Sequence, residues 1–134
     1  MTNTANGYNQ YLRSKIMTAS KPELTLMLYD GAIKFTNMAI MAVDKNDVPG
    51  AHNAIKRTEA IIQEFQITLD HKYAVAKDFD NVYNYLLQRL SDANIKKDKE
   101  ILEECLGHLR TMRDTWKEAM KKAATDPNYN RASA

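Results

Sequence analysis

The most reactive side chains in this chain are three histidines and one cysteine: His52, His71, His108 and Cys105. A helical protein could use them in three ways. A carboxylate-bridged di-iron site needs glutamates on facing helices and two Glu-x-x-His pairs. No histidine here follows a glutamate by three residues; Glu104 and His108 stand four apart, with no second copy of the pattern. Phosphoryl transfer needs a mid-helix histidine with a lysine three residues on and then a glycine. Ala51-His52-Asn53-Ala54-Ile55-Lys56 comes near, but its lysine is four residues on, Arg57 stands in the glycine's place, and His52 falls in the first turns of its helix. A thiolate nucleophile needs a basic neighbour and access. Cys105 has His108 three residues on but lies on an apolar seam, where a small core side chain is the simpler reading. The four glycines, at 7, 31, 50 and 107, build no phosphate loop. The sequence therefore reads as a non-enzyme with no metal and no cofactor, and phosphotransfer through His52 is the alternative.

Composition narrows the class further. The 134 residues suffice for one domain with a single core. With 19 basic and 17 acidic residues, no strong field draws nucleic acid or anionic lipid. The pairs Lys56-Arg57, Lys96-Lys97 and Lys121-Lys122 are interspersed with acids and read as solvated helix faces. The apolar run Ile33 to Val43 is broken by Lys34, Thr36 and Asn37 and is too short to span a bilayer. A lone cysteine forms no internal disulfide and fits a reducing cytoplasm.

Helices must position whatever function remains. Ser20 is a good N-cap, Pro22 suits a first turn, and Glu23 closes a capping box. Breaks follow at Asp44 to Pro49, at His71-Lys72-Tyr73 and at Asn94 to Asp98. Apolar seams recur between them: Leu24, Leu28, Gly31, Phe35, Met38 and Ala42; then Ala51, Ile55, Thr58, Ile62, Phe65 and Leu69. The third is Phe79, Val82, Tyr83, Leu86, Leu90 and Ala93, and the fourth Leu102, Cys105, Leu109, Met112, Trp116, Ala119 and Ala123. These spacings predict an all-α fold, an antiparallel up-and-down four-helix bundle over residues 21–124. Residues 1–20 are expected to form a short N-terminal helical arm packed on the bundle, with Met1 to Gly7 disordered and Tyr8 to Met17 helical. A flexible tail is expected over 125–134.

The first bundle helix has more apolar surface than one core can use. Leu24, Leu26, Met27, Leu28 and Tyr29 spread around the helix at about 100° per residue. Ile33, Ile40 and Met41 extend the excess, and Ala54, Ile61 and Ile67 lie off the seam of the next helix. Seven methionines suit adaptable contacts. An open groove would be an aggregation hazard unless covered, and the arm is the expected cover.

The same block resembles the signature of FliS-type flagellin export chaperones. It carries Tyr11, Thr18-Ala19-Ser20, Glu23-Leu24 and Leu26 through Ala32. Ile61-Ile62-Gln63-Glu64, Thr68-Leu69-Asp70, Tyr83 and Tyr85, Ala93 to Lys96 and Arg113 to Lys117 continue the resemblance in order, over about residues 8 to 120. Two departures stand out: Lys21 precedes the proline, and Lys77 to Asp80 replaces a glycine-containing loop. The resemblance implies a chaperone of the bacterial cytosol that binds the disordered C-terminal segment of flagellin. It would prevent premature polymerisation and assist delivery to the secretion apparatus. By motif position it implies a contact surface of Tyr8, Tyr11, Ile16, Leu24, Leu26, Met27, Tyr29, Ile33, Ile61 and Thr68. Further partners that it admits are the export-gate protein and an anti-sigma factor or co-chaperone.

Overall fold

The computed structural model describes residues 2–69 and 76–125, which form five α-helices. They are α1 (Thr2–Thr18), α2 (Lys21–Asp44), α3 (Val48–Thr68), α4 (Ala76–Lys96) and α5 (Lys99–Thr125). Helices α2 to α5 make the bundle: each packs on the next, and α5 closes the ring against α2. The loop expected at His71-Lys72-Tyr73 and the tail beyond Thr125 lie outside the described residues.

Each helix start has a local cause. The Ser20 hydroxyl accepts the Glu23 amide at 3.3 Å, with Pro22 in the first turn, so the extra Lys21 leaves the cap intact. Asp47 caps α3 by accepting the Gly50 amide at 3.0 Å. A side chain on Gly50 would strike that carboxylate, with a Cβ only 2.2 Å from Asp47 Oδ2. Lys77 to Asp80, unlike the loop that it replaces, forms the first turn of α4.

The core follows from which stripe each helix buries. On α3 Ala51, Ile55, Thr58, Ile62 and Phe65 of the expected seam are buried, Leu69 is half-buried, and Ala54, expected off the seam, is buried too. On α5 Leu102, Cys105 and Leu109 are buried, whereas Met112, Trp116 and Ala119 are half-buried. On α4 Tyr83, Leu86, Leu90 and Ala93 are buried, but Phe79 and Val82 are exposed. The largest correction is on α2. Its buried stripe is Tyr29, Ala32, Ile33, Thr36, Ala39 and Ala42. Of the expected seam only Ala42 is buried; Leu24, Leu28, Gly31 and Phe35 are half-buried and Met38 is exposed. Small side chains at the centre let neighbouring helices approach closely, which moves the bulky ones to the edges.

Two polar clusters inside this core are hydrogen-bonded. Thr36 donates to the Ala32 carbonyl at 2.7 Å, Thr58 donates to that of Ala54 at 3.2 Å, and the two hydroxyls lie 3.4 Å apart. Tyr29 and Tyr83 share a hydroxyl hydrogen bond of 3.1 Å, and Phe65 stacks between their rings at 4.4 and 5.5 Å. One end of α2, α3 and α4 is pinned by this cluster.

Helix α1 differs from the expected arm. It is helical from Thr2 rather than from Tyr8. Tyr8, Tyr11 and Ile16 are 60, 62 and 49% exposed, so its apolar side is open. Only Ala19 and Ser20 separate it from α2.

Candidate functional site

Catalytic chemistry finds little support at the reactive side chains. Cys105 is wholly buried, and burial pushes its thiol up to about 12, far from a neutral-pH nucleophile. Glu104 accepts from Tyr85, from Arg89 Nε at 3.0 Å and from His108 Nε2 at 3.3 Å. The Tyr85 hydrogen bond above all holds that carboxyl below its ordinary range. Its acceptor sites are taken, which leaves a poor general base. His52 is exposed, with Nδ1 2.9 Å from the Asn94 amide nitrogen. Among the described residues no group of histidine, cysteine and carboxylate side chains could hold a metal, and no helix is long and apolar enough to cross a membrane.

The apolar excess is better organised. Three contacts fix how α2 and α3 run past each other: Tyr29 on Phe65, Gly31 against Ile61 and Thr36 beside Thr58. At this antiparallel register Leu24 lies level with Thr68. Leu24, Leu28, Gly31 and Phe35 then recur along the α3 side of α2, with Met27 beside Leu24 and Gly31 on the next line outward. All five are half-buried. Ile61 packs over Gly31: a Cβ there would meet Ile61 Cδ1 at 3.4 Å, an ordinary van der Waals contact. Arg57 crosses Phe35 with its guanidinium 5.3 Å from the ring centre, at the polar end of the edge. The result is a half-buried apolar edge with nothing catalytic in it.

Sequence-selected residues divide accordingly. By this register Leu24, Met27 and Ile61, all half-buried, and the exposed Thr68 fall toward the α2–α3 side. Leu26 lies on the opposite flank of α2, in a line with Pro22 and Asp30, which bind α5. Trp116 Nε1 donates to the Pro22 carbonyl at 2.9 Å, and Arg113 pairs with Asp30 at 3.8 Å. Tyr29 and Ile33 are buried in the core, at 6 and 8% exposure. Tyr8, Tyr11 and Ile16 sit together on α1, away from the others. Sequence reasoning had placed Leu28, Gly31 and Phe35 in the core seam, and Arg57 it had read only as surface charge. Their signal was present, since two apolar stripes wind around α2, but spacing alone does not say which stripe is covered.

Comparisons with known proteins agree with one another. The family model described as "Flagellar protein FliS" matches residues 4–123. The flagellar secretion chaperone FliS of Bacillus subtilis is 35% identical over 121 residues, covering 90% of this chain and 91% of that one. The flagellar secretion chaperone FliS of Salmonella typhimurium is 30% identical over 128 residues, covering 90% of this chain and 95% of the relative. For the Campylobacter jejuni protein of the same name the identity is 29% over 113 residues, with 83% and 88% covered.

Proposed function

We propose a function from one premise: this chain belongs to the FliS family of flagellar secretion chaperones, which are not enzymes. Its client is the disordered C-terminal segment of flagellin, bound in the bacterial cytosol before export. Holding that segment prevents premature polymerisation and keeps it presentable to the secretion apparatus. One observation carries the reading: α2 turns a second, half-buried apolar stripe outward along α3, beside an arm whose own apolar side is open.

The physics of the task matches that surface. A disordered amphipathic segment cannot bury its apolar faces alone, so it aggregates or assembles. The α2–α3 edge lends it one wall of a core, with anchors entering between Leu24, Met27, Gly31 and Ile61 at helical spacing. Ordering the client costs on the order of 2–5 kcal/mol of the gross interaction, which keeps binding reversible. Tyr8, Tyr11 and Ile16 lie on a helix joined by two residues to this edge, so the arm acts as a movable flap beside the client. Residues 1–20, 21–124 and 125–134 then work as flap, chaperone domain and tail. The export-gate protein, an anti-sigma factor and a co-chaperone belong to the same proposal as further partners. Phosphotransfer through His52 gains no observation: the ring is bonded to Asn94, and Arg57 still stands where a glycine is needed.

Calorimetric titration with the last ~40 residues of flagellin, about 60 Å if fully helical, tests this reading. One-to-one binding below micromolar with a large negative heat-capacity change is expected. Gly31→Leu adds bulk to this edge beside Ile61 and also improves helix propensity, so it should weaken binding at least tenfold without lowering the melting temperature. No heat at several temperatures from a folded chain would overturn the proposal. Unchanged affinity in Gly31→Leu would move the client off the α2–α3 edge.

A further inference from the structure

The α2–α3 edge is ordered in charge as well as apolar. From Glu23 to Phe35 on α2 and from Arg57 to Thr68 on α3, the charged side chains are Glu23, Asp30, Lys34, Arg57, Glu59 and Glu64. Two of them are engaged elsewhere: Asp30 pairs with Arg113 of α5, and Glu59 with Lys56 of its own helix. The other four are exposed. Helix spacing puts Glu23, Met27 and Lys34 on one line of α2, and Arg57, Ile61, Glu64 and Thr68 on one line of α3. The antiparallel register fixed by Tyr29 on Phe65 and Gly31 against Ile61 lays these lines side by side. Along the direction of α2 both then read acid, apolar residue, cation.

Lys34 and Arg57 are gathered around one ring. Their charged groups lie 5.9 and 5.3 Å from the centre of Phe35, and neither forms an ion pair among the described residues. Two cations brought to one ring repel each other, and an anion between them relieves that repulsion. A guanidinium over a ring keeps N–H donors at its rim, in a fork that suits a carboxylate. Glu23 and Glu64 set the opposite preference at the other end. A helix carries partial positive charge at its N-terminus and partial negative charge at its C-terminus. A client helix laid parallel to α2 therefore meets complementary charge at both ends, and one laid the other way meets like charge at both. Past Lys34 the α2 line continues to Met38 and Met41, 41 and 56% exposed, so apolar contact does not stop at the cations. A side-chain carboxylate and a terminal one both fit that spacing.

We propose that the client helix on the α2–α3 edge runs parallel to α2 and places a carboxylate between Lys34 and Arg57. The inference rests on the client reading of this edge and adds a direction and a charge that the client must carry. Calorimetric titration of the full chain tests it with three forms of the last ~40 residues of flagellin. They are the free acid, its C-terminal amide, and the free acid with every Asp and Glu changed to Asn and Gln. Lys34→Glu with Arg57→Glu should weaken the free acid about tenfold or more and flatten its loss of affinity between ~50 and ~500 mM salt. Lys77→Glu with Lys96→Glu makes the same change of net charge on α4 and should cost less than about twofold. Glu64→Lys should also weaken binding, and all of these exposed variants should keep the melting temperature. A matching loss with the amide identifies the terminal carboxylate, and one with the amide-substituted side chains identifies an Asp or Glu. Full affinity with both altered peptides overturns the proposal, as does undiminished binding by the Lys34, Arg57 variant. An equal loss in the α4 variant overturns it too, by making the effect one of net charge, and tighter binding by Glu64→Lys reverses the direction. No heat from the unmodified chain removes the client reading itself, whereas binding that ignores these charges leaves that reading standing and removes only this inference.

Discussion

A single hydroxyl can matter in this core because it is buried with one hydrogen-bond partner. Tyr29 and Tyr83 lie at 6 and 5% exposure, bonded to each other across Phe65. Tyr29→Phe or Tyr83→Phe leaves one hydroxyl buried and unpaired and should cost about 1–3 kcal/mol in urea unfolding. The double variant should lie close to wild type, because it removes both halves of the bond. Additive losses instead would show that each ring packs independently. The same burial sets an alkaline limit. Burial raises the proton affinity of both tyrosines and of Cys105, mainly by desolvation. The unfolded groups titrate near about 10 and 8.5. Between those values and the folded ones the unfolded chain binds fewer protons, so stability falls as pH rises. The urea midpoint should be level to about pH 8 and then decline steadily through pH 11; a flat profile there would show that these groups are not buried in solution. The sequence displayed Tyr29 but misassigned it, since in Leu28-Tyr29 either neighbour could face the core. What settled its place was Tyr83, a partner 54 residues away that no local pattern names.

Elements were legible where they had one apolar stripe and illegible where they had two. Helix α3 has one principal seam, buried from Ala51 to Phe65 as read, although Ala54 joins it and Leu69 stays half-buried. Helix α2 offers several, and Ala32, Thr36 and Ala39 won the centre over Leu28, Phe35 and Met38 because small residues permit close packing. Phe79 and Val82 fit their seam by spacing yet stay exposed, since α5 covers only the later turns of α4 fully. Ends were read better than faces, because caps are local chemistry. Ser20 and Asp47 hold as N-caps, and both loops at the far end turn through a left-handed residue, Asn46 at φ 58° and Lys97 at φ 50°. Asn46 tolerates that conformation, whereas Lys97 is strained by its Cβ. Its backbone nonetheless closes the helix, with Asp98 donating to the Ala93 carbonyl at 3.1 Å. Lys97→Gly should therefore raise stability by about 1 kcal/mol, read as a higher urea midpoint at unchanged slope. A loss would mean that the Lys97 ammonium, which donates to Asn94, contributes more than its backbone costs.

At the scale of the whole molecule, stability and recognition are separated in space. Four helices share a ring-shaped core around Ile55, Ile62, Leu86, Leu90, Leu102 and Leu109, each buried side chain worth about 1.5–3 kcal/mol. The arm shares none of it, and the half-buried edge of α2 shares it only in part. A groove wall and a core wall use the same residue types, and they differ only in what the other helices leave uncovered. For that reason spacing marks α2 as carrying excess apolar surface but does not say which of its faces the bundle leaves uncovered. The separation also makes the arm removable. Deleting residues 2–17 takes away an exposed helix and leaves Ser20 to cap α2, so the melting temperature of the monomer should move by no more than a few degrees, equivalent to less than about 1 kcal/mol. Affinity for the flagellin tail should change by far more, in the same calorimeter and buffer, because the flap borders the client. Matched losses of stability and binding would instead make the arm a structural part of the bundle, and the division between the two tasks would disappear.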